Sequence, residues 1–565
     1  MHHGLDAIAG KGLFTEVCVI GAGAAGITIA RKLLDSGIEV VLLESGMDYD
    51  ADIAALNEGE NVGLDYYRLQ DSRLRFFGGT TAIWGGRCAE LDAIDFEKRP
   101  WVEHSGWPIS KAQMRPYYRE AREILGLRET QPSTADLIEA GVVMPDFKPD
   151  RIRSLLWTFD EKHGRFSFDN CRDLRDHPRC RIITHATVRE IVAAANARSI
   201  DHLDVRNLAG HRITVKARHY VLATGGIENA RLLLASRSVM PTGLGNGQDW
   251  VGRCFMEHPH ARGGRVVSGR SWMLLNAFAK RHEVDGQSVA ALLAPGIELQ
   301  KEQGLLNTSL TIVGRRPPHR RESYAMRSYA RLKHDVAPDR RGRKLWLAVK
   351  KTAHRVLRYS EPARPWALHK AGMLDIALLV RAEQAPNRES RVMLSHLRDP
   401  MGVPISRLDW RSSAIDTRSV SGLVHALDTE LQRLNLGAAE AAPWLEGGDW
   451  QFDPLVSAHP IGGYHHMGTT RMSDTPRDGV ADSHGRVHGI ANLFIAGSSL
   501  FPTSGWANPT LTIVALACRT AEEIAASLRH RPMARSREIP RYDGNSYVVA
   551  ESGQGDQPCH LKSGE

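Results

Sequence analysis

Three glycines near the start of the chain have the spacing of a diphosphate-binding turn. Gly21, Gly23 and Gly26 follow the short apolar run Val17 to Ile20, and the segment from Ala24 to Leu34 is typical of a helix. Glycines at these positions allow a tight turn and a close approach of the backbone to phosphate, and the N-terminus of a helix favours negative charge. The segment therefore predicts a strand, a turn and a helix that bind a dinucleotide.

An acidic residue follows the next predicted strand. Glu39 to Leu43 forms a second apolar run, and Glu44 comes about 20 residues after the central glycine, where an acid accepts a hydrogen bond from a ribose hydroxyl. An acid there disfavours NADP, whose extra phosphate requires a cation. The order of strand, turn, helix, strand and acid favours an adenine dinucleotide over an ordinary glycine-rich loop, without distinguishing NAD from FAD.

Length and composition indicate a large globular enzyme. The 565 residues exceed what one hydrophobic core usually supports, which predicts two domains, and 42% hydrophobic with 24% charged residues is typical of a soluble protein. No apolar run reaches the roughly 18 to 20 residues of a membrane span. The first strand begins near Val17, which leaves no room for a signal peptide, so we expect a cytoplasmic protein. The seven scattered cysteines suggest neither a disulfide framework nor a metal cluster.

The net charge of +8 is concentrated in one segment. Residues 315–370 contain 17 Lys or Arg against 4 Asp or Glu, and the rest of the chain contains 56 against 61. A cover packed on its domain or a loop is the favoured interpretation, whereas an acidic membrane or an acidic partner is an alternative. Nucleic acid is not expected, because no binding motif accompanies the charge. An amphipathic helix is predicted within this basic insertion by the helical spacing of Leu345, Val349, Thr352, Val356 and Tyr359.

Strands and helices can be assigned along the rest of the chain. The region from Arg181 to Ala223 has the pattern of strands and continues through Thr224-Gly225-Gly226 into a helix, so it predicts a second parallel crossover. Other helices are predicted over 111–125, about 419–434 and from about 510 to 528, with a strand over 391–394. The strands predicted in the first region are 181–184, 186–193, 202–207, 212–216 and 220–223.

Two further segments are rich in glycine or histidine. The segment from Arg75 to Arg87 contains two Gly-Gly pairs on either side of Trp84, which allow the backbone to pass close to a large flat group. The segment from Gly462 to Met472 contains His465 and His466. A metal site at His459, His465 and His466 is disfavoured, because the helical HxxxH spacing is absent and no cysteine or carboxylate cluster accompanies them.

The order of these segments resembles that of the glucose–methanol–choline (GMC) flavoprotein oxidoreductases, most closely the branch of pyranose 2-oxidase, glycoside 3-oxidases and bacterial sugar dehydrogenases. The resemblance covers both ends of the chain and leaves about 261–380 unmatched. It implies an α/β fold, α+β overall, in which a Rossmann-like FAD-binding domain is interleaved with a substrate domain built on an antiparallel sheet with helices. The implied FAD-binding segments are 1–95, 176–260 and 455–535; the substrate-binding segments are 96–175 and 261–454, with the basic insertion 315–370 and a loose tail over 536–565.

The resemblance implies FAD as the cofactor and no metal. Ile83 stands where pyranose 2-oxidase has the histidine that links to flavin, and its side chain offers no nucleophile, so non-covalent FAD is expected. The implied cofactor-binding residues are Gly21, Gly23, Ala24, Ala25, Gly26, Glu44, Ser45, Gly79, Thr80, Trp84, Gly85, Gly86, Val188, Ala223, Thr224, Gly225, Gly497, Ser498, Asn508, Pro509 and Thr510.

Two residues stand at the family's catalytic positions, His465 and Asn508. An imidazole near neutral pKa can remove a hydroxyl proton while hydride moves to flavin N5, and an amide can hold the same oxygen. Thr510 and the amides that follow it would face the pyrimidine end of the flavin. His466 is interpreted as a core residue or a substrate contact, and His258 as structural or as a contact at the domain boundary.

The predicted function is FAD-dependent oxidation of a ring hydroxyl of a sugar or glycoside to a ketone. The alternatives are oxidation of a non-sugar alcohol and a flavin-binding protein that serves a partner, with the basic insertion as its docking surface. The electron acceptor is O2 or another oxidant; Gly85, where pyranose 2-oxidase has a threonine, favours a dehydrogenase. The substrate, the ring position and the oligomeric state are left open.

Overall fold

The computed structural model describes residues 1–10, 12–162, 164–267, 269–318, 327–328, 331–333 and 339–529. Residues 1–525 form one compact unit, and the second unit, 526–565, is described only for the end of the last helix. The predicted tail over 536–565 and much of the predicted basic insertion lie outside the described residues.

The strands are numbered here in chain order. They are β1 His2–Gly4, β2 Gly12–Ile20, β3 Val40–Leu43, β4 Gly59–Asn61, β5 Arg87–Cys88, β6 Ile152–Phe159, β7 Cys180–Thr184, β8 Thr187–Ala193, β9 Ile200–Arg206, β10 Arg212–Leu222, β11 His260–Val267, β12 His282–Val284, β13 Gln287–Pro295, β14 Ser309–Arg315, β15 Asp375–Arg381, β16 Arg391–Arg398, β17 Pro404–Asp409, β18 Ala438–Ala441 and β19 Leu493–Ile495.

The α-helices are numbered in the same way, and short 3₁₀ turns occur at 5–8, 79–82, 168–170 and 498–500. No described helix is both long and apolar enough to cross a membrane. The helices are α1 Ala24–Asp35, α2 Ala51–Ala55, α3 Ala93–Phe96, α4 Lys111–Ile124, α5 Thr134–Glu139, α6 Arg172–Arg175, α7 Gly226–Ala235, α8 Ser271–Phe278, α9 Ile297–Gln303, α10 Arg340–Ser360, α11 Ala363–Lys370, α12 Ala414–Arg433, α13 Trp444–Gly447 and α14 Thr510–Arg529.

The first sheet is a mainly parallel nucleotide-binding sheet. Its strand order is β1-β7-β3-β2-β10-β9-β8, with β19 added to β10, and only the pairs of β9 are antiparallel. All four residues of β3 are buried, as expected for a parallel strand covered on both faces. The predicted unit of strand, glycine turn, helix and strand is confirmed as β2, α1 and β3, with Val17 opposite Val40 and Ile20 opposite Leu43.

One strand assignment from the sequence is wrong. The predicted strands 212–216 and 220–223 are a single strand, β10. The polar residues Arg218 and His219 suggest a turn, but β10 pairs with β2 on both sides of them, from Thr214 to Leu222. The backbone hydrogen bonds of this long ladder therefore override the local preference of the polar residues.

The second sheet is antiparallel, with the order β18-β11-β15-β14-β13-β6-β5 and β12 added to β13. The apolar face of α12 packs against it, through Val420, Val424 and Leu427 among others. This helix was predicted from about residue 419 but begins at Ala414, because Ser413 and Asp416 form a capping box in front of it. A third, small sheet has the order β16-β17-β4.

The two large sheets alternate along the chain. The first sheet takes its strands from residues 2–43, 180–222 and 493–495. The second takes them from 87–88, 152–159, 260–315, 375–381 and 438–441. This arrangement confirms the predicted fold class, a Rossmann-like sheet interleaved with an antiparallel sheet and helices. The domain boundaries proposed from the resemblance stay a prediction.

The amphipathic helix predicted in the basic insertion is confirmed as α10, and its apolar stripe is not the face that is buried. Leu345, Val349 and Val356 are exposed, at 54%, 37% and 60%. The buried face comprises Trp346 and Lys350, four residues apart, and the Trp346 ring packs against Ile83. The spacing of aliphatic side chains indicated a helix correctly, but the large ring of Trp346 buries the neighbouring face instead.

Candidate active site

A cleft opens at the carboxyl ends of β2, β3 and β10, where ligands bind in sheets of this kind. Six of the predicted cofactor-binding residues do not line it, namely Gly26, Trp84, Gly85, Gly86, Asn508 and Pro509. Those that do are Gly21, Gly23, Ala24, Ala25, Glu44, Ser45, Gly79, Thr80, Val188, Ala223, Thr224, Gly225, Gly497, Ser498 and Thr510.

Gly23 and Gly26 of the first turn have different structural roles. A Cβ atom at Gly26 would lie 1.9 Å from the carbonyl oxygen of Gly21, so Gly26 lets α1 pack against the turn. A Cβ atom at Gly23 would meet no protein atom within 4 Å. Gly23 is also the N-cap of α1, and no side chain caps this helix. The cleft therefore offers open space and helix N–H groups where a diphosphate binds.

Glu44 is held in the cleft by backbone amides. Its carboxylate accepts hydrogen bonds from Ala22 N at 2.8 Å and Gly46 N at 3.3 Å. Burial raises the pKa of Glu44, and these amides act in the opposite direction. The fixed carboxylate lies at the end of β3, where it could accept a hydrogen bond from a ribose hydroxyl.

A charge network that the sequence analysis missed also lines the cleft. Glu228 forms ion pairs with Arg73 at 3.1 Å, Arg75 at 2.9 Å and Arg231 at 3.0 Å. Burial opposes ionisation of Glu228, but the three guanidinium groups hold its pKa below the usual range. Glu228 lies in the first turn of α7, and its place directly after the Gly225-Gly226 turn is the sequence signal that could have identified it.

The segment with two Gly-Gly pairs lies beneath α10. The Trp84 carbonyl oxygen accepts a hydrogen bond from Lys350 Nζ at 3.3 Å. A Cβ atom at Gly86 would lie 2.2 Å from the Asp160 carbonyl oxygen, and Asp160 N donates to Gly86 O at 2.8 Å. Gly86 is therefore required for packing against the end of β6.

The two predicted catalytic residues are brought together, although they are 43 residues apart. Asn508 Nδ2 lies 3.1 Å from His465 Nε2. The other ring nitrogen of His465, Nδ1, lies 2.9 Å from His258 Nδ1, and His258 Nε2 lies 2.8 Å from the carbonyl oxygen of Gly505. His258, interpreted from the sequence as structural or as a boundary contact, is thus a direct neighbour of His465.

The proton positions in this chain of contacts follow from the Gly505 carbonyl. A carbonyl oxygen only accepts, so His258 Nε2 must carry the hydrogen. Burial lowers the pKa of His258 to about 4, so the ring is neutral and its Nδ1 is an acceptor. His465 Nδ1 must then donate to His258, which leaves a lone pair on His465 Nε2.

His465 itself is neutral near physiological pH. Burial lowers its pKa well below 6.5, and repulsion from His258, His260 and His466 in their protonated forms and from the nearby Arg381 acts in the same direction. The Nε2 lone pair accepts a hydrogen bond from Asn508 Nδ2, and a hydroxyl that takes the place of this donor beside Asn508 could pass its proton to Nε2. Within the described residues, no group of three His, Cys, Asp or Glu side chains is arranged to bind a metal ion.

A buried carboxylate holds the backbone that carries His465. Glu257 accepts hydrogen bonds from the backbone N–H groups of His258 at 2.8 Å, Gly463 at 3.2 Å and His465 at 2.8 Å. Tyr66 Oη also donates to Glu257, at 2.6 Å. Burial raises the pKa of Glu257 to about 7. Neither Glu257 nor Tyr66 was identified from the sequence, because both act through contacts with residues far away in the chain.

His466 lies at the boundary between the cleft and this network. Since Tyr66 Oη gives its hydrogen to Glu257, His466 Nε2 donates to Tyr66, at 2.9 Å. His466 also lines the dinucleotide cleft. A Cβ atom at Gly226 would lie 2.2 Å from the His466 carbonyl oxygen, so α7 begins in direct contact with the histidine segment.

Comparison with known families places this site in a class. The family described as FAD dependent oxidoreductase matches residues 16–349, more than half of the chain, and the family described as GMC oxidoreductase matches residues 386–517. The chain belongs to the GMC family of FAD-dependent oxidoreductases. Its cofactor is FAD, in agreement with the open glycine turn and the fixed carboxylate of Glu44.

Several individual proteins are similar over most of their length. The chain is 25% identical to paromamine 6'-oxidase of Streptomyces fradiae, covering 91% of this chain and 92% of that protein. It is 25% identical to 2-methyl-1,2-propanediol dehydrogenase of Mycolicibacterium austroafricanum, covering 90% and 95%. A crystal structure of formate oxidase shares the fold, with a TM-score of 0.56, 15% identity and coverage of 92% of this chain and 100% of that chain.

The open space at Gly23 generates a prediction about FAD. We expect Gly23→Ala to fold normally, because the new methyl group meets no protein atom, but to weaken FAD binding by tenfold or more, about 1.4 kcal/mol. The dissociation constant is measured by titrating apoprotein with FAD. Gly12→Ala is the matched control, since its Cβ atom also meets nothing and Gly12 lies outside the cleft. Equal FAD affinity for both variants would contradict the assignment of Gly23.

Proposed function

We propose that the protein oxidises a ring hydroxyl of a sugar or glycoside, with His465 as the base and Asn508 as the group that holds the reacting oxygen. The observation that carries this proposal is the lone pair on His465 Nε2, fixed by His258 and Gly505 and placed 3.1 Å from Asn508. Oxidation of an alcohol requires such a base beside the hydroxyl.

Asn508, His465 and His258 each have a separate role in the proposed reaction. Asn508 donates a hydrogen bond to the substrate oxygen, and His465 Nε2 takes the proton of that hydroxyl. The imidazolium that forms keeps its hydrogen bond to His258, whose own position is fixed by Gly505. When bound, FAD supplies the acceptor for the hydride that leaves the carbon. The oxidised product is the corresponding ketone.

The names of two relatives support a sugar or glycoside substrate, and the surroundings of Ile83 support FAD held without a covalent bond. Paromamine 6'-oxidase and the C-glycoside 3-oxidase of Arthrobacter globiformis, the latter 34% identical over 143 residues, carry names that describe oxidation of a sugar-like or glycoside substrate. Ile83 is 5% exposed and packs against Trp346, so an apolar and unreactive side chain occupies the position considered for covalent attachment. We therefore propose FAD held without a covalent bond.

The proposal is tested by anaerobic absorbance titration of the FAD-loaded protein with free sugars, glycosides and aliphatic diols. Loss of the flavin absorbance with a sugar or glycoside is expected, followed by product analysis for the ketone. Reduction by diols alone would replace the sugar with a non-sugar alcohol. Flavin that none of the alcohols reduces would refute substrate oxidation as the function. Admitting air after reduction then distinguishes an oxidase from a dehydrogenase.

The base is tested by His465→Ala. We expect FAD to remain bound and the rate of flavin reduction to fall by about 10² to 10⁴, because the substrate hydroxyl no longer has a proton acceptor. Stopped-flow absorbance under anaerobic conditions measures the rate. The matched control is His211→Ala at an exposed turn, which should reduce at the wild-type rate. An unchanged rate in His465→Ala would remove His465 from the mechanism.

The role of His258 as a positioning residue is tested by two substitutions. His258→Phe removes the acceptor for His465 Nδ1–H, so the tautomer is no longer fixed and flavin reduction should slow by about tenfold to a hundredfold. His258→Gln, whose amide oxygen can accept the same hydrogen, should recover part of the rate. Equal rates in the two variants, with FAD bound in both, would show that His258 serves only to fill space.

The pH dependence follows from the lowered pKa of His465. The unprotonated ring is the active form, and burial lowers its pKa well below 6.5, so the form needed for catalysis persists as the pH falls through 6.5. We expect the imidazole chemical shifts of His465 to show an unprotonated ring between pH 8 and pH 6.5 and protonation only at lower pH. Protonation centred at or above pH 6.5 would contradict a neutral, buried His465 in the resting enzyme. The rate of flavin reduction also depends on Glu257, whose pKa is about 7, so the chemical shifts are the measurement that isolates His465.

A further inference from the structure

Several cationic side chains gather on the side of the active site formed by the antiparallel sheet. Arg381 ends β15, and its guanidinium carbon lies 5.3 Å from the centre of the Trp157 ring. Arg87 lies 5.4 Å from the same ring. The side chain of Arg381 also donates to Thr311 Oγ1 at 3.4 Å. Two guanidinium groups therefore share one buried aromatic ring.

Two lysines add to this group from the basic insertion. Lys350 of α10 is only 4% exposed, and its Nζ atom contacts the Trp84 carbonyl oxygen at 3.3 Å. Lys333 Nζ donates to His459 Nε2 at 2.9 Å. The described part of the insertion thus turns two ammonium groups toward the protein interior. We refer to Arg87, Lys333, Lys350 and Arg381 as the cation cluster.

The members of the cation cluster lie close enough to affect one another. Burial lowers the pKa of Lys350 to about 6, Arg281, Lys333 and Arg87 lower it further, and Glu161 acts in the opposite direction. Burial and Arg87 together lower the pKa of Lys333 to about 8. Burial lowers the pKa of Arg381 as well, and Arg87 and Arg315 contribute.

Three members of the cation cluster have no carboxylate partner among the described residues. Within the described ranges, Lys333, Lys350 and Arg381 form no ion pair, whereas other buried cations do, such as Arg99 with Glu383. Burial of a positive charge without a counter-charge is costly, and this cost lowers the pKa of Lys350 and Lys333; an anion bound beside them would restore their protonated forms. The fold therefore provides a carboxylate for the buried Arg99, but none of the described carboxylates pairs with Lys333, Lys350 or Arg381.

An unsatisfied hydrogen-bond donor lies within the same group. The indole Nε1 of Trp157 is buried and has no hydrogen-bond partner among the described residues, although Trp157 is only 2% exposed. Buried indole N–H groups normally find an acceptor. An oxygen atom of an anion held by Arg87 and Arg381 would provide one.

The cation cluster adjoins the proposed catalytic pair. The Trp157 ring lies 6.1 Å from that of Trp506, which comes two residues before Asn508. The charge of Arg381 is also among those that lower the pKa of His465 and of His258. A ligand group bound by the cluster would therefore be part of a molecule whose hydroxyl reaches His465.

We propose that the substrate carries an acidic group, a carboxylate, sulfate or phosphate, which the cation cluster binds while His465 faces the hydroxyl to be oxidised. The inference rests on the proposed function, since it assigns a chemical class to the same substrate. Arg87 and Arg381 offer planar donors suited to paired oxygen atoms, and Lys333 and Lys350 add compact amino groups from the basic insertion. A substrate bearing an amine would be repelled by the same four groups.

The experiment compares binding of three sugars that differ mainly in charge, D-glucuronate, D-glucose and D-glucosamine, to the FAD-loaded protein at constant ionic strength. Binding is measured by calorimetry and by the perturbation of the flavin spectrum, neither of which requires turnover. We expect glucuronate to bind at least tenfold more tightly than glucose, and glucosamine to bind most weakly. Glucuronate that binds no more tightly than glucose would overturn the proposal.

Variants localise the site. Lys350→Met and Arg381→Met should each weaken glucuronate binding at least tenfold and lower the ratio of glucuronate affinity to glucose affinity, and a wild-type flavin spectrum of each variant verifies folding. Lys301→Met, an exposed lysine on α9 that pairs with Glu298, is the matched control and should bind glucuronate like the wild type. Equal glucuronate affinity in Lys350→Met, Arg381→Met and Lys301→Met would refute the cation cluster as the binding site.

The pH dependence of binding provides a second readout. A bound anion raises the pKa of Lys350 from its value of about 6, so glucuronate binding should take up a proton and weaken as the pH rises from 6 to 8. Lys350→Met should reduce this dependence, and the part that remains belongs to Lys333, whose pKa is about 8. Failure of the proposed function is distinguishable: if glucuronate binds through Lys350 but no alcohol reduces the flavin, the anion site stands and the oxidation does not.

Discussion

A carbonyl oxygen has no hydrogen to donate, and this property of Gly505 determines the proton positions of the whole site. Because Gly505 can only accept, His258 Nε2 carries a hydrogen, His258 Nδ1 accepts, and His465 Nε2 keeps its lone pair. The sequence around Gly505 follows β19 and precedes α14, so the nucleotide-binding fold itself positions the acceptor. A change in the backbone there would alter the protonation of a side chain two hydrogen bonds away.

The position of His465 also depends on its backbone, which Glu257 holds in place. Glu257 accepts hydrogen bonds from three backbone N–H groups and from the Tyr66 hydroxyl, so one buried carboxylate connects its own segment to Tyr66 and to the segment of His465. Such a group is stable in the interior only when its oxygens are fully hydrogen-bonded. The hydrogen bonds of His258 and His465 therefore determine which ring nitrogens carry hydrogens, and Glu257 holds the backbone of His465 in place.

The parts of this arrangement that sequence predicts are those encoded locally. The spacing of Gly21, Gly23 and Gly26 between two apolar runs identified the first crossover, and the order of motifs identified His465 and Asn508. His258 and Glu257 could not be found in this way, because their roles arise from contacts 207 and 208 residues away. The orientation of α10 was missed for a related reason, since Trp346 is buried by a surface formed from Ile83, far earlier in the chain.

The contact between Gly226 and His466 has a consequence for how this enzyme can diversify. There is no room for a side chain at residue 226, since its Cβ atom would lie 2.2 Å from the His466 carbonyl oxygen. Two segments separated by 240 positions are therefore in contact, one beginning the helix α7 beside the cleft and the other following the proposed base, His465. Mutational drift in either segment is constrained by the other, so variation that changes substrate choice is expected to accumulate in the antiparallel sheet and α10.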